Sequence, residues 1–274
     1  MNTIAVVGLG LMGGSLAMAL KRARPDLTLI GVDRDQRTLA QALQRDLVTM
    51  AGPDLDAAGA ADLMVLAVPV LAMRRLLPRL AGTRALVTDL ASTKAEVMGW
   101  AAAAGVDLVG GHPMCGREAS GLEAADPELY QGATWVLTRS EPRLEDLIRS
   151  VGAHPLVLDA EVHDRLVAGI SHAAFLVSAA YLLSVAGSDD WPEAGRLASS
   201  GFRDMTRLAA GDPEMYAGIA ATNRTQIAEA LDRFQAALAR LRRHLDGEDP
   251  RLAELLEEAR GARRRWEEAV DRRA

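Results

Sequence analysis

The sequence predicts an open, largely parallel β-sheet wound with helices, followed by an all-helical region, and three observations carry that prediction. Short β-branched and apolar runs alternate with helical patterns from Thr3 to about Leu158, the order that builds parallel sheets. The first run is followed at once by a glycine-rich turn that opens a helix. Beyond Asp159 no convincing strand remains, and long Ala-rich amphipathic patterns take over. The expected division is therefore 1–159 and 160–274.

Residues 3–7 form the first strand, and Gly8-Leu9-Gly10-Leu11-Met12-Gly13-Gly14 follows directly, with a helical pattern from Ser15 to Arg22. In this setting G-x-G-x-x-G is a Rossmann-type turn. Gly8 permits the tight bend, Gly10 admits a pyrophosphate close to the backbone, and Gly13 lets helix and strand pack. Leu11 and Met12, within this turn, are expected cofactor-binding residues with the three glycines, and the N-terminus of the helix that follows faces the anion. A second strand, 27–32, ends in Asp33, where a carboxylate can take both hydroxyls of an adenosine ribose. The same carboxylate repels a 2′-phosphate, so NAD is expected over NADP, with Arg34 pulling the other way. The plain structural role for Asp33 is a turn cap.

Residues 62–68 read as a buried strand stopped by Pro69, and 70–80 as the next helix. Another strand, 85–89, carries Leu90-Ala91-Ser92-Thr93-Lys94 at its carboxyl end. Ser92 or Thr93 is the expected N-cap of a helix over 96–103, with Glu96 near a capping-box position. Residues 106–109 form a further strand, and Pro113 is expected to turn the chain out of the sheet. His112 then sits at the sheet's carboxyl edge, beside Ser92, where open α/β sheets bind ligands and where an imidazole suits proton transfer near neutrality. A satisfied ring in a Gly-rich turn is the alternative. Residues 133–137 and 155–158 read as strands flanking a helix over 143–151 and closing the sheet.

The helical region is broken near Gly187-Ser188-Asp189-Asp190, near Gly201, at Gly211-Asp212-Pro213 and at Gly247-Glu248-Asp249-Pro250. Glu161-Val162-His163-Asp164-Arg165 precedes Ser171-His172 on one long helix, and His172 reads either as a core histidine or as a site residue. Arg207 can pair with Asp204 one turn earlier or grip a substrate carboxylate. Residues 240–274 mix basic and acidic side chains as a solvated helix face does. So much apolar helical surface beside a complete sheet suggests a homodimer.

Composition excludes several classes. A net charge of −6 and a pI near 5.5 argue against a nucleic-acid partner. No uninterrupted apolar run is long enough to cross a bilayer, so no membrane partner and a cytoplasmic location are expected. The single cysteine, Cys115, rules out an internal disulfide and a cysteine cluster; no metal is expected, and Cys115 reads as a small filler. Lysine occurs only at 21 and 94 and asparagine only at 2 and 223, which draws attention to Lys94 and Asn223.

Gly8-Leu9-Gly10-Leu11-Met12-Gly13-Gly14-Ser15, Asp89-Leu90-Ala91-Ser92-Thr93-Lys94, His112-Pro113-Met114-Cys115-Gly116-Arg117-Glu118, Ser171-His172 and Asp204-Met205-Thr206-Arg207 together resemble the prephenate/arogenate dehydrogenase family of tyrosine biosynthesis, in the right order over essentially the whole chain. The resemblance implies NAD-dependent oxidative decarboxylation of prephenate to 4-hydroxyphenylpyruvate, or of arogenate to tyrosine. By position it makes His112 the acceptor of the ring-hydroxyl proton and Ser92 a hydrogen-bonding partner near that hydroxyl and His112. Arg207 would hold the ring carboxylate, with Glu118, Ser171 and His172 at the substrate site. Two positions depart from the family pattern: Arg117, where many members carry a small hydroxyl residue, and Phe175, where many carry a second histidine. The other readings are a β-hydroxyacid or imine-reducing dehydrogenase and a non-catalytic NAD-binding sensor; the first would be expected to use a lysine on the helical domain, and this chain has none after Lys94.

Overall fold

The computed structural model describes residues 1–245 and 250–271, so Gly247, Glu248 and Asp249 of the last expected break, and residues 272–274, lie outside the described residues. The first half is built from β1 (Thr3–Val7), α1 (Leu11–Ala23), β2 (Thr28–Val32), α2 (Gln36–Gln44), β3 (Met50–Gly52), β4 (Leu63–Leu66), α3 (Val70–Leu76), β5 (Leu86–Asp89), α4 (Ala95–Ala103) and β6 (Leu108–Val109). These strands form one parallel sheet in the order β3-β2-β1-β4-β5-β6. Their apolar runs are near-continuous because both faces are covered. Ile4, Val6, Leu63 and Val65 pack into one core, and Ala5, Val7, Met64 and Leu66 into the other. The order reverses between β1 and β4, which opens a crevice at the strands' carboxyl ends.

After β6 the chain leaves this sheet, and the expectation that the remaining strands close it is overturned. β7 (Gly111–Pro113) runs antiparallel to β8 (Thr134–Leu137), which pairs in parallel with β9 (His154–Val157), with α5 (Pro142–Ser150) between the last two. This is a separate three-stranded sheet. The crossing needs two glycines: a Cβ on Gly110 would lie 2.8 Å from Thr138 Cγ2, and one on Gly111 2.5 Å from the Asp89 carbonyl oxygen. Pro113 is not where the chain leaves the first sheet, whose last strand ends at Val109. It ends β7, an edge strand, where a missing N–H is tolerated.

The helical part begins with α6 (Ala160–Val167), whose N-terminus is capped by Asp159 through Glu161 N and Val162 N. A π-helical turn, Ala168–His172, leads into α7 (Ala173–Ala186). Together they make a continuous helix of 27 residues, Ala160–Ala186, long and apolar enough to cross a membrane by length and composition alone. His163, Asp164 and His172 interrupt its apolar sequence, and all three are buried within the protein. α8 (Trp191–Leu197), α9 (Ser200–Thr206), α10 (Pro213–Thr222), α11 (Arg224–Arg242) and α12 (Pro250–Asp271) follow. The break expected near Gly201 is present at Ala198 and Ser199, both extended, with Gly201 itself just inside α9. By its contacts the chain forms two compact units, Met1–Ile227 and Ala228–Ala274.

Candidate active site

The glycine turn has the shape its spacing predicts. Gly8 adopts φ +95°, and a Cβ there would come within 2.5 Å of the Ala67 carbonyl oxygen. A Cβ on Gly13 would lie 1.9 Å from the Gly8 carbonyl oxygen, so α1 rests directly on the loop after β1. Around Gly10 a Cβ would meet nothing within 4 Å. Gly10 is also the N-cap of α1, which has no side-chain cap and no acidic residue in its first turn, so its amides are open to an anion. Leu11 is buried, and Met12 lends its carbonyl to the Tyr130 hydroxyl at 2.7 Å. Asp33 takes Leu9 N on Oδ2 at 2.8 Å and Asp35 N on Oδ1 at 2.9 Å. Each oxygen keeps a lone pair, so the turn-cap role leaves Asp33 able to accept a further hydroxyl. Helix α2 is capped by Asp35. These residues fit a dinucleotide: open backbone where the pyrophosphate lies and a carboxylate where the ribose lies.

At the same sheet edge, a buried pair joins the two sheets. Asp89, ending β5, and Lys94 are fully buried and bonded to one another. Lys94 Nζ also donates to the Gly111 carbonyl at 2.7 Å, while Asp89 accepts from Gly111 N and Ala91 N at 2.9 Å each. Burial pulls the lysine pKa down, and Asp89 opposes it. With every partner satisfied, this pair fixes β7, and His112 within it, against β5. Breaking it by removing one partner would cost about 3–5 kcal/mol.

His112 is 8% exposed, and its Nδ1 lies 2.8 Å from His163 Nε2, leaving Nε2 without a hydrogen-bond partner among the described residues. Burial, then the neighbouring His163, Lys94 and His172, hold its pKa well below the ordinary histidine value, so the ring is neutral near pH 7. His163 Nδ1 in turn lies 2.8 Å from Asp164 Oδ1. Asp164 also caps α4 from a distance in sequence, accepting Lys94 N at 2.8 Å and Ala95 N at 2.9 Å. That corrects the expected cap: neither Ser92 nor Thr93 caps α4. Ser92 stands half-buried before that helix, and it is His163, not Ser92, that bonds to His112. Thr93 instead meets Thr222 of α10 at 2.9 Å.

His172, at the end of the π-turn, is 2% exposed and 3.2 Å from Asn223 Nδ2, and burial lowers its pKa to about 4. Ser171 is half-buried on the same turn. Arg207 follows α9 and bonds not to Asp204 but to Glu118, 89 residues away. Glu118 and Arg207 therefore meet, as a shared site requires. Cys115 is half-buried, and burial pushes its thiol up to about 11, as for an inert filler. Arg117 pairs with Asp126, and Phe175 stacks on Tyr216 at 3.4 Å between ring centroids. Sequence reasoning did not foresee the parts played by His163, Asp164 and Asn223. The signals available were a polar cluster opening an apolar helix and the rarity of asparagine.

Two family models match the chain: "Prephenate dehydrogenase, nucleotide-binding domain" over residues 16–157 and "Prephenate dehydrogenase, dimerization domain" over residues 159–258. Prephenate dehydrogenase of Lactococcus lactis subsp. cremoris is 33% identical over 251 residues, covering 87% of this chain and 70% of that one. Synechocystis arogenate dehydrogenase superposes with a TM-score of 0.81 at 34% identity, covering 96% of this chain and 99% of its own. Prephenate dehydrogenase from A. aeolicus, solved with hydroxyphenyl propionate and NAD+, superposes with a TM-score of 0.90 at 26% identity, covering 97% and 98%.

Proposed function

Since the chain belongs to the prephenate dehydrogenase family, we propose that its residues carry out NAD-dependent oxidative decarboxylation of prephenate or arogenate in tyrosine biosynthesis as follows. Gly8, Gly10, Leu11, Met12 and Gly13 hold the pyrophosphate of NAD at the N-terminus of α1, and Asp33 holds the adenosine ribose and disfavours NADP. A nicotinamide bound there would supply the hydride acceptor. Arg207 binds the ring carboxylate, exchanging Glu118 for it, and Glu118, Ser171 and His172 line the substrate. Ser92 hydrogen-bonds near the ring hydroxyl. His112 accepts the hydroxyl proton at Nε2; hydride loss and release of carbon dioxide then leave an aromatic ring, so one positioned base is enough.

The observation that carries this reading is His112: a buried, neutral imidazole, tethered through Nδ1, with Nε2 left without a hydrogen-bond partner among the described residues. The division of labour follows 1–159 for cofactor and 160–274 for substrate and dimerisation. Support for a homodimer comes from Leu166, Ile170 and Leu183 on the long helix, 50%, 74% and 72% exposed, a large apolar area for a monomer to show to water. A cytoplasmic location fits an enzyme of soluble metabolites. The test is to incubate the protein with NAD and either prephenate or arogenate and to follow absorbance of the reduced cofactor. Turnover of one or both is expected, and turnover of neither overturns the proposal.

A further inference from the structure

Two side chains outside the substrate contacts, Asp164 and Asn223, dictate which nitrogen of each active-site histidine carries its proton. A carboxylate only accepts. Asp164 Oδ1 lies 2.8 Å from His163 Nδ1, so that nitrogen bears the hydrogen. In the neutral ring Nε2 then holds a lone pair, and His112 Nδ1, 2.8 Å away, must donate to it. His112 is left with its lone pair on Nε2. For His172 the same reasoning gives the opposite result. Asn223 Nδ2 lies 2.8 Å from the backbone carbonyl of Asp164, an acceptor, which identifies that atom as the amide nitrogen and not the oxygen. Its second hydrogen faces His172 Nδ1 at 3.2 Å, so Nδ1 accepts and the ring proton sits on Nε2. Among the described residues that buried N–H finds no partner of ordinary geometry, although the Ser92 carbonyl lies beside the ring. Buried donors are rarely left so, and a ligand oxygen would complete this one.

We propose that Asp164, acting through His163, and Asn223 are positioning residues that hold His112 and His172 in opposite tautomers, so that bound substrate meets one ring nitrogen that accepts a proton and another that donates a hydrogen bond to a substrate oxygen. Only the identity of the ligand rests on the reading of the site given above; the tautomers do not. Asp164 thus acts twice, through its carboxylate on one histidine and through its backbone carbonyl, by way of Asn223, on the other.

The experiment is long-range proton–nitrogen correlation on the full-length protein labelled with ¹⁵N-histidine, near neutral pH and without ligand, with signals assigned by single histidine substitutions. His112 and His163 are expected in the Nδ1–H form and His172 in the Nε2–H form. An Nε2–H form for His112, an Nδ1–H form for His172, or a doubly protonated His163 would overturn the proposal. Asn223→Asp, which puts an acceptor against Nδ1, is expected to switch His172 to Nδ1–H and to raise KM for the substrate tenfold or more, with NAD affinity within threefold. An unswitched His172 in this variant counts equally against the proposal. Should the variant fail to fold, the unmodified protein's spectrum decides alone. Because that spectrum needs neither substrate nor turnover, absence of activity on prephenate and arogenate would sink the proposed reaction and leave the tautomers standing.

Discussion

Alanine at Gly10 and alanine at Gly13 are the same chemical change three residues apart, and the structure gives them opposite consequences. At Gly10 the backbone has φ −72° and ψ −158°, open to any L residue, and the new methyl meets nothing within 4 Å. Stability should therefore move by less than about 1 kcal/mol. The methyl does occupy the space a pyrophosphate needs to reach the amides of α1. Losing one charge-assisted hydrogen bond, roughly 1.5–3 kcal/mol, weakens NAD binding by about tenfold to 150-fold. At Gly13 the methyl would sit 1.9 Å from the Gly8 carbonyl oxygen and 3.0 Å from Ala67 Cβ. To regain ordinary contact α1 must withdraw from the loop by about 1.5 Å, an overpacking that costs roughly 3 kcal/mol or more. Thermal melting with and without NAD, together with calorimetric titration of the cofactor, separates the two. If Gly10→Ala melts as early as Gly13→Ala, or binds NAD as the unmodified protein does, the assignment of this turn as the pyrophosphate cradle is wrong.

Three further predictions concern the rest of the site. Asp33→Ser should narrow the preference for NAD over NADP while weakening NAD itself, because Asp33 also ties down Leu9 N and Asp35 N; equal kcat/KM for the two cofactors in the unmodified protein would refute the role. Arg207→Ala should raise KM for the cyclohexadiene by about tenfold or more. Its ion pair with Glu118 is largely solvent-exposed and worth roughly 0–1 kcal/mol to the fold, so a collapse of Tm would show Arg207 to be structural. His112→Asn should lower kcat by roughly 10²–10⁴. Neutral His112 is the active form and its pKa is depressed, so kcat in the unmodified protein should hold down to pH 6.5 and fall only well beneath it; a His112-dependent limb centred above 6.5 contradicts this.

The first β-strand, the glycine turn and Asp33 are legible in the sequence because their relation is local: a spacing of a few residues sets the turn, and one crossover brings Asp33 beside Leu9. The second sheet is not legible. β7 is three residues long, ends in proline, and exists only because Trp135, Val136 and Leu137 come to lie beside it. Likewise Glu161 to Arg165 looks like the solvated start of any helix, and nothing local announces that α4 will bring its unsatisfied N–H groups onto Asp164. Ser92 and Thr93 look like caps for the same reason: the true cap, Asp164, lies 70 and 69 residues beyond Lys94 and Ala95, whose N–H groups it accepts. The nearest acid to Arg207 in sequence is Asp204, whereas the chain's folding delivers Glu118.

The π-helical turn at Ala168–His172 sets the phase of the long helix. Residues nine apart on an unbroken α-helix are about 180° out of step, which would point His163 and His172 to opposite sides of the rod. The bond from Ala173 N to the Ala168 carbonyl spans five residues instead of four, so the widened turn absorbs one residue and cuts the offset to roughly a quarter of a rotation. Both rings can then turn inward, as their burial records. Inserting or deleting one residue between His163 and Ala168 would keep the helix helical and its composition almost unchanged, yet misalign the two imidazoles, much as a gear slipped by one tooth still turns but no longer keeps time.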